Sequence, residues 1–382
     1  MSTLKVNTIS ASTSGQGVSI DIQNPKTNRN LIINGAMQIA QRGTSSTSNG
    51  IHTIDMYNNF YNGTDESPTQ AQVDVASGTT PYSLGFRKAL KITNGNQTSG
   101  AGSNDYIAIQ HGIEAQNIAQ SGWNYTSSSS FVTLSFWIKS SVAQTFKGYL
   151  RTSDGTKQHY PFETGSLTAD TWTKITKTVP GNSNIQIDND NGNGFQVLVA
   201  AFWGTDGTAS SVTENAWAAF SESTRMTDNT STWYSTNDAT LEITGLQLEV
   251  GSVPTDFEFK SRGQELALCQ RYYFSIKGDD DEHVAFGYAA GGGFCVFMIP
   301  YPVPMRAQPT YTGSATVARF YNNAQSANFN LSSLSFGNAD TNSVEPKHGV
   351  VFTTTTSGMS TGAGGSLALN ADNGILEFSA DL

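Results

Sequence analysis

Charge is scarce in this sequence. Asp, Glu, Lys and Arg make up 14% of its 382 residues, against roughly a quarter in ordinary soluble domains. The balance is acidic, with a formal net charge of −10, and no basic cluster is longer than Arg87-Lys88. Nucleic-acid binding runs on a basic patch that neutralises phosphates, so nucleic acid is not an expected partner. Anionic membrane surfaces are disfavoured for the same electrostatic reason. No window approaches the ~20 apolar residues of a membrane span. Met1 to Ser19 is polar with isolated aliphatics, unlike a secretory signal, so Sec export is not expected. There are only two cysteines, Cys269 and Cys295, both in apolar or aromatic company. They read as buried free thiols, in keeping with assembly in a reducing cytoplasm.

Catalytic signatures are missing as well. His52, His111, His159, His283 and His348 show no metal-ligand spacing, and neither cysteine has a CxxC partner. There is no GxxxxGK[ST] phosphate cradle. Gly291-Gly292-Gly293 has no helix-opening context and reads as a loop. Asp188-Asn189-Asp190-Asn191-Gly192-Asn193-Gly194 has a calcium-like look, but the sixth and twelfth positions hold Asn193 and Val199 where an EF-hand needs Gly and Glu. A polar turn is the expectation there, with a looser Ca²⁺ site as the alternative. Asp279-Asp280-Asp281-Glu282 reads as a solvated acidic loop. No enzyme activity, metal or cofactor is expected, although carboxylates that meet only in space could still build a hydrolase.

What fills the sequence instead is Ser, Thr, Asn and Gly, which are poor in helices, together with aromatics at 10%. The clearest strand is Phe131 to Lys139, with Val132, Leu134, Phe136 and Ile138 on one face. Further candidates are Lys88 to Thr93, Tyr106 to Glu114, Gly148 to Thr152 and Trp172 to Val179. Phe195 to Trp203 is apolar on both faces, as in a strand covered on both sides. Leu241 to Val250 alternates but shifts register at Gly245, which predicts a β-bulge. All six tryptophans precede both cysteines, marking a boundary near Ser261. The expected architecture is all-β: an antiparallel jelly-roll sandwich over residues 30–260, then a smaller β-sandwich over 261–382, joined by one short helix. Residues 1–29 read as an arm. Leu266, Cys269 and Tyr273 form a narrow apolar stripe on the Gly263 to Tyr273 helix. With Tyr272 they are the expected oligomer contact, the alternative being packing on the chain's own sheet.

Sugar binding needs flat rings to stack on C–H faces and amides or carboxylates to take hydroxyls. Trp217, Trp233 and Tyr234 lie in the polar stretch Thr208 to Thr240, and Trp123 in the loop Gln120 to Ser130. These four are the candidate carbohydrate contacts, and the competing reading is that they cap the core. Trp137 is expected to be either a platform or covered by a loop.

Several stretches resemble a broad family of bacteriophage tail-fibre and minor structural proteins. One is Asn30-Leu31-Ile32-Ile33-Asn34-Gly35-Ala36-Met37-Gln38-Ile39-Ala40-Gln41-Arg42-Gly43-Thr44, followed here by Asp55-Met56-Tyr57 in place of that family's Asp-Arg-Trp-like element. Others are Leu134 to Ser141, Ala169-Asp170-Thr171-Trp172, Ile243 to Gly251 and Thr255 to Ser261. The strongest is Glu265-Leu266-Ala267-Leu268-Cys269-Gln270-Arg271-Tyr272-Tyr273, joined by Pro304 to Thr310 and Phe378-Ser379-Ala380-Asp381-Leu382. The resemblance implies a carbohydrate-binding-module-like jelly roll and a second β domain on a virion, often as a homotrimer, with the N-terminal arm attached to other virion proteins. The expected function is a tail fibre or receptor-binding component contacting host-surface polysaccharide, assembled in the host cytoplasm. An architectural virion part (head fibre, decoration or baseplate piece) and a polysaccharide depolymerase are the alternatives.

Overall fold

The computed structural model describes residues 28–291, 294–312, 318–322, 327–337, 346–355, 360–370 and 374–382. The arm expected over residues 1–29 lies outside these apart from Asn28 and Arg29, as do Gly292 and Gly293.

Alternating polar and apolar runs become strands throughout. In chain order they are β1 (Ser45–Ser46), β2 (Tyr57–Asn62), β3 (Thr69–Asp74), β4 (Lys88–Thr93), β5 (Tyr106–Glu114), β6 (Phe131–Ser140), β7 (Thr145–Thr152), β8 (Gln158–Ser166), β9 (Thr173–Pro180), β10 (Asn193–Trp203), β11 (Ala218–Ala219) and β12 (Thr240–Val250). These form two six-stranded antiparallel sheets, β1-β3-β4-β12-β6-β9 and β11-β8-β7-β10-β5-β2. The inward positions of both sheets build one core, with Leu134, Phe136 and Ile138 of β6 facing Leu150, Phe162, Val197 and Val199. The register of β12 on β6 slips between Thr244 and Gln247 at the expected bulge. Gly245 has φ +64° there, and a Cβ would meet the Phe86 ring at 2.6 Å, so glycine is required on both counts.

Helix α1 (Thr80–Ser83) and helix α2 (Ala115–Ala119) are single turns in the jelly roll. Helix α3 (Arg262–Gln270) joins the two units, and its start is fixed by a capping box between Ser261 and Gln264. After it come β13 (Tyr273–Gly278), β14 (His283–Gly291), β15 (Phe294–Pro300), β16 (Thr310–Thr312), β17 (Ala318–Asn322), β18 (Ala327–Gly337), β19 (His348–Thr355), β20 (Gly364–Leu369) and β21 (Gly374–Ser379). The order β13-β21-β16 makes a small sheet, and β14-β15-β19-β18-β17-β20 closes into a barrel. Two open facing sheets are the sequence expectation here; closure of β20 onto β14 replaces them and leaves those six strands without a free edge. The acidic loop Asp279 to Glu282 sits at the barrel's end, where Asp280 and Asp281 pair with Arg319.

The helix corrects another expectation. Cys269 and Tyr272 are buried in the jelly-roll core, Leu266 is half-buried against it, and Tyr273 is buried with Arg42 stacked 3.6 Å over its ring. The stripe packs on its own chain, which takes the side chains of Cys269, Tyr272 and Tyr273 out of reach of another subunit and leaves only Leu266 partly open. Around them runs a polar joint. Arg271 and Tyr272 converge on buried Glu114, Arg306 donates to the carbonyls of Asn191, Ala380 and Asp381, and Arg42 pairs with Asp381.

Candidate functional site

The sheet β11-β8-β7-β10-β5-β2 has a second face, turned away from the core. Register defines it in rows. Asn58, Gln110, Leu198 and Tyr149 lie side by side across β2, β5, β10 and β7. One row towards the joint are Gly112, Gln196, Arg151 and His159. One row the other way are Phe60, Ala108, Ala200 and Lys147. An ordinary solvated face would carry Lys, Glu and Thr; this one carries amides, aromatics and small residues.

Its aromatic end is built in layers. Tyr106 stacks on Trp203 at 4.5 Å and 16°, and Arg225 covers Trp203 from 4.6 Å. Phe60 meets both rings edge-on, at 5.6 and 5.9 Å. Trp203 is buried, whereas Phe60 and Tyr106 remain partly open. A ring held by its neighbours loses no rotamer freedom when a ligand arrives, which suits stacking. Met226 and Phe220, from the segment after β10, cover the centre of the face over Tyr149, Leu198 and Ala200. At the opposite end Leu382 fills the space over Gly112, where a Cβ would stand 3.1 Å from it.

Between these covers lie polar groups without partners in the chain: Asn58 Oδ1, Gln196 Oε1 and Arg151 Nε are all buried and make no hydrogen bond. Gln196 is only 5% exposed. A buried acceptor left unpaired costs about 1–3 kcal/mol, so such groups are kept where something else satisfies them. The other cations of the face are matched: Lys147 with Glu163 and Glu214, and Arg225 with Glu222. Burial pulls the His159 ring below its usual pKa, and the Arg151 and Arg225 charges add to that, so it stays neutral near pH 7. Burial also lowers the Arg151 pKa, helped by the Arg225 charge, yet a guanidinium stays protonated.

The aromatics singled out from sequence do not meet there. Trp233 and Tyr234 are fully buried, with Trp233 Nε1 donating to the Thr240 carbonyl at 3.0 Å and Tyr234 packed on Phe202 at 4.5 Å. Trp123 is buried edge-on to Phe195. None of the three offers an open face for a sugar; they cap the core. Trp217 is half-buried, donates to the Pro180 carbonyl at 2.6 Å and leans on Tyr160. Trp137 is half-buried in a cluster with Phe86, Trp172 and Phe257. Phe60, Tyr106, Gln110, Arg151 and Gln196 were passed over. Their signal was a polar side chain inside an otherwise apolar strand, as Gln196 stands in Phe195 to Trp203.

Among the described residues no three His, Cys, Asp or Glu side chains are grouped to hold a metal. The Asp188 to Gly194 loop is wired to protein: Asp190 Oδ1 accepts from Gly192 N, and Asp154 accepts from Asp188 N.

No protein-family model matches the chain, and neither does any curated protein. Among solved structures it is similar to the enzymatically active domain of tailspike protein 4 of bacteriophage CBA120 (8% identity, TM-score 0.31), covering 58% of this chain and 21% of that one. It is also similar to a family 11 carbohydrate-binding module from Clostridium thermocellum (10%, TM-score 0.25; 56% of this chain, 98% of that one). A third is the tripod from the baseplate of bacteriophage Tuc2009 (13%, TM-score 0.28; 62% and 59%). The chain spans about a fifth of the tailspike domain.

Proposed function

We propose that this chain is a bacteriophage virion protein, a tail fibre or receptor-binding component, that holds host-surface polysaccharide on the outer face of its second sheet without cleaving it. The observation that carries the glycan contact is that one face of the sheet holds partly open Phe60 and Tyr106 at one end and, further along it, the amide oxygens of Asn58 and Gln196, which have no partner in the chain. Rings take the apolar faces of a sugar, and the amides take its hydroxyls. The virion assignment is supported by the sequence resemblance, with residues 1–29 as the attachment arm. Contacts of this kind are weak singly, and several copies on one particle would convert them to avidity.

The test is retention of purified protein on surface polysaccharide from candidate host bacteria, with the supernatant assayed for released reducing ends. Phe60→Ala with Tyr106→Ala should weaken retention by about tenfold, equivalent to ~1.4 kcal/mol, while the protein stays folded at the temperature of the assay. Loss of retention with loss of folding would make the rings core residues, and release of reducing ends would replace binding by hydrolysis.

A second reading, an architectural part that works by self-association, is favoured by a different surface. Phe286 and Met298 are cross-strand partners on β14 and β15, 74% and 57% exposed, with Tyr288 beside them at 51%. At ~200 Å² per side chain they show roughly 350 Å² of apolar surface, near half of what one partner buries in a standard interface. No charged residue stands at the outward positions from Phe286 on β14 or along β15. In a chain of net charge −10, an uncharged strip is where two like-charged copies can touch. Phe286→Ser with Met298→Ser should shift the sedimenting species to monomer; an unchanged species in the double variant would rule this face out.

A further inference from the structure

We infer that the outer-face site selects an acidic sugar, one bearing a carboxylate, with Arg151 as the group that reads it. This rests on the glycan-contact reading and goes further, naming the chemistry of the ligand. Three observations single out Arg151. It stands between Gln196 and His159 in one row of the face. It has no carboxylate partner, although every other cation on that face has one. Its Nε is buried without a hydrogen-bond partner, while the side chain as a whole stays partly open.

Placement then decides what it can take. Arg151 lies 4.6 Å over the Phe220 ring, and that ring also carries Arg225 at 5.3 Å. The ring holds the guanidinium plane fixed, and the second cation adds to the local positive potential. A fixed guanidinium offers an N–H from each of its two Nη atoms as a parallel pair of donors, which matches the two oxygens of a carboxylate. Beside it Gln196 Oε1, buried and without a donor, takes a hydroxyl of the same sugar. A neutral sugar would satisfy the amide and leave the guanidinium edge unpaired; an acidic one satisfies both. The net charge of −10 opposes an anionic polymer at long range, but at 0.15 M salt such repulsion is screened beyond ~8 Å. The local pair therefore decides.

The experiment is affinity electrophoresis of the full chain at physiological salt. Acidic gels would contain polygalacturonate, hyaluronan or alginate, and neutral gels methyl-esterified polygalacturonate, laminarin or dextran. The expected result is binding at least about tenfold tighter to an acidic polymer. Esterification should abolish that preference, as should Arg151→Gln, while Arg151→Lys keeps part of it. The esterified polymer makes the comparison on the unmodified protein, so it holds even if a variant misfolds. Equal binding of acidic and neutral polymers, unchanged in Arg151→Gln, overturns the acidic-sugar assignment and leaves the glycan contact standing. Equal binding to dextran sulfate reduces the site to bare charge and overturns the carboxylate assignment. No retardation in any gel overturns both readings.

Discussion

Replacing Arg271 with alanine should lower the melting temperature by something on the order of ten degrees and make the protein acid-sensitive. Glu114 is completely buried at the end of β5, where the jelly roll meets the C-terminal unit. It accepts from Arg271 Nε at 2.6 Å, Arg271 Nη2 at 2.9 Å and Tyr272 Oη at 2.6 Å, with Gln116 as a further donor. Without Arg271, a carboxylate stays in a dry site with two neutral donors. Breaking a buried pair in this way costs about 3–5 kcal/mol, which for domains of this size corresponds to roughly 6–20 °C. The pH dependence follows from the same balance. Burial alone would raise the Glu114 pKa, but the Arg271 and Tyr272 hydrogen bonds and the Arg271 charge outweigh it and hold it below the ordinary 4.5. A depressed carboxyl stabilises the fold fully above its unfolded pKa, and that stability is lost as pH falls through the folded value. In Arg271→Ala burial is opposed only by the Tyr272 and Gln116 hydrogen bonds, the folded pKa rises, and acid unfolding should begin at a higher pH. Glu114→Gln in the same background should recover part of the loss, since it removes the stranded charge. Melting curves for the two variants across pH 3–8 decide the matter; an Arg271→Ala protein melting within a degree or two of the parent would sink the clasp.

That joint also draws together stretches that stand far apart in the sequence. Gln41 Nε2 donates to the Tyr273 carbonyl at 2.8 Å, and the Gln41 backbone carbonyl accepts from Lys277. Asn34 N donates to Glu265, and Asn30 side-chain atoms bind the backbone of Leu246 and Leu248. Arg306 ties Asn191 to Ala380 and Asp381. So the opening Asn30 to Thr44 stretch, the Glu265 to Tyr273 stretch, the Pro304 to Thr310 stretch and the closing Phe378 to Leu382 stretch all meet at one place. Their residues are specific because a joint made of buried polar groups tolerates few alternatives.

Legibility followed the physics of each element. Strands β4, β5 and β6 and the bulge at Gly245 were readable, because period-2 alternation and a register break are local signals. Closure of the barrel was not readable, since the pairing of β14 with β20 joins segments some eighty residues apart. The candidate face was hidden for a related reason. It is assembled by register across β2, β5, β10 and β7, so its members stand far apart in the chain. Tryptophans attract attention in a sequence by their size, and that same size gives them the most to gain from burial.

Trp233→Ala separates the two accounts of the aromatics. Trp233 is 0% exposed, its backbone N–H donates to Gln144 Oε1 at 2.9 Å, and its indole holds the carbonyl that opens β12. Asn94 Nδ2 clasps the next turn through the carbonyls of Tyr234 and Thr236, at 2.6 and 3.1 Å. Truncating the indole leaves a cavity between the sheets and an unpaired Thr240 carbonyl, a loss of about 3–5 kcal/mol. The variant should therefore melt well below the parent, while its folded fraction retains polysaccharide at full strength. Tyr106→Ala should behave the opposite way, because its partly open ring rests on Trp203 in the smaller cluster of the outer face, outside the core between the sheets. Paired melting and retention curves for the two variants place the contact on one side of the sheet or the other. If Trp233→Ala lost retention at an unchanged melting temperature, the contact would lie in the Thr208 to Thr240 segment, and the outer face of β2, β5, β10 and β7 would have to be surrendered.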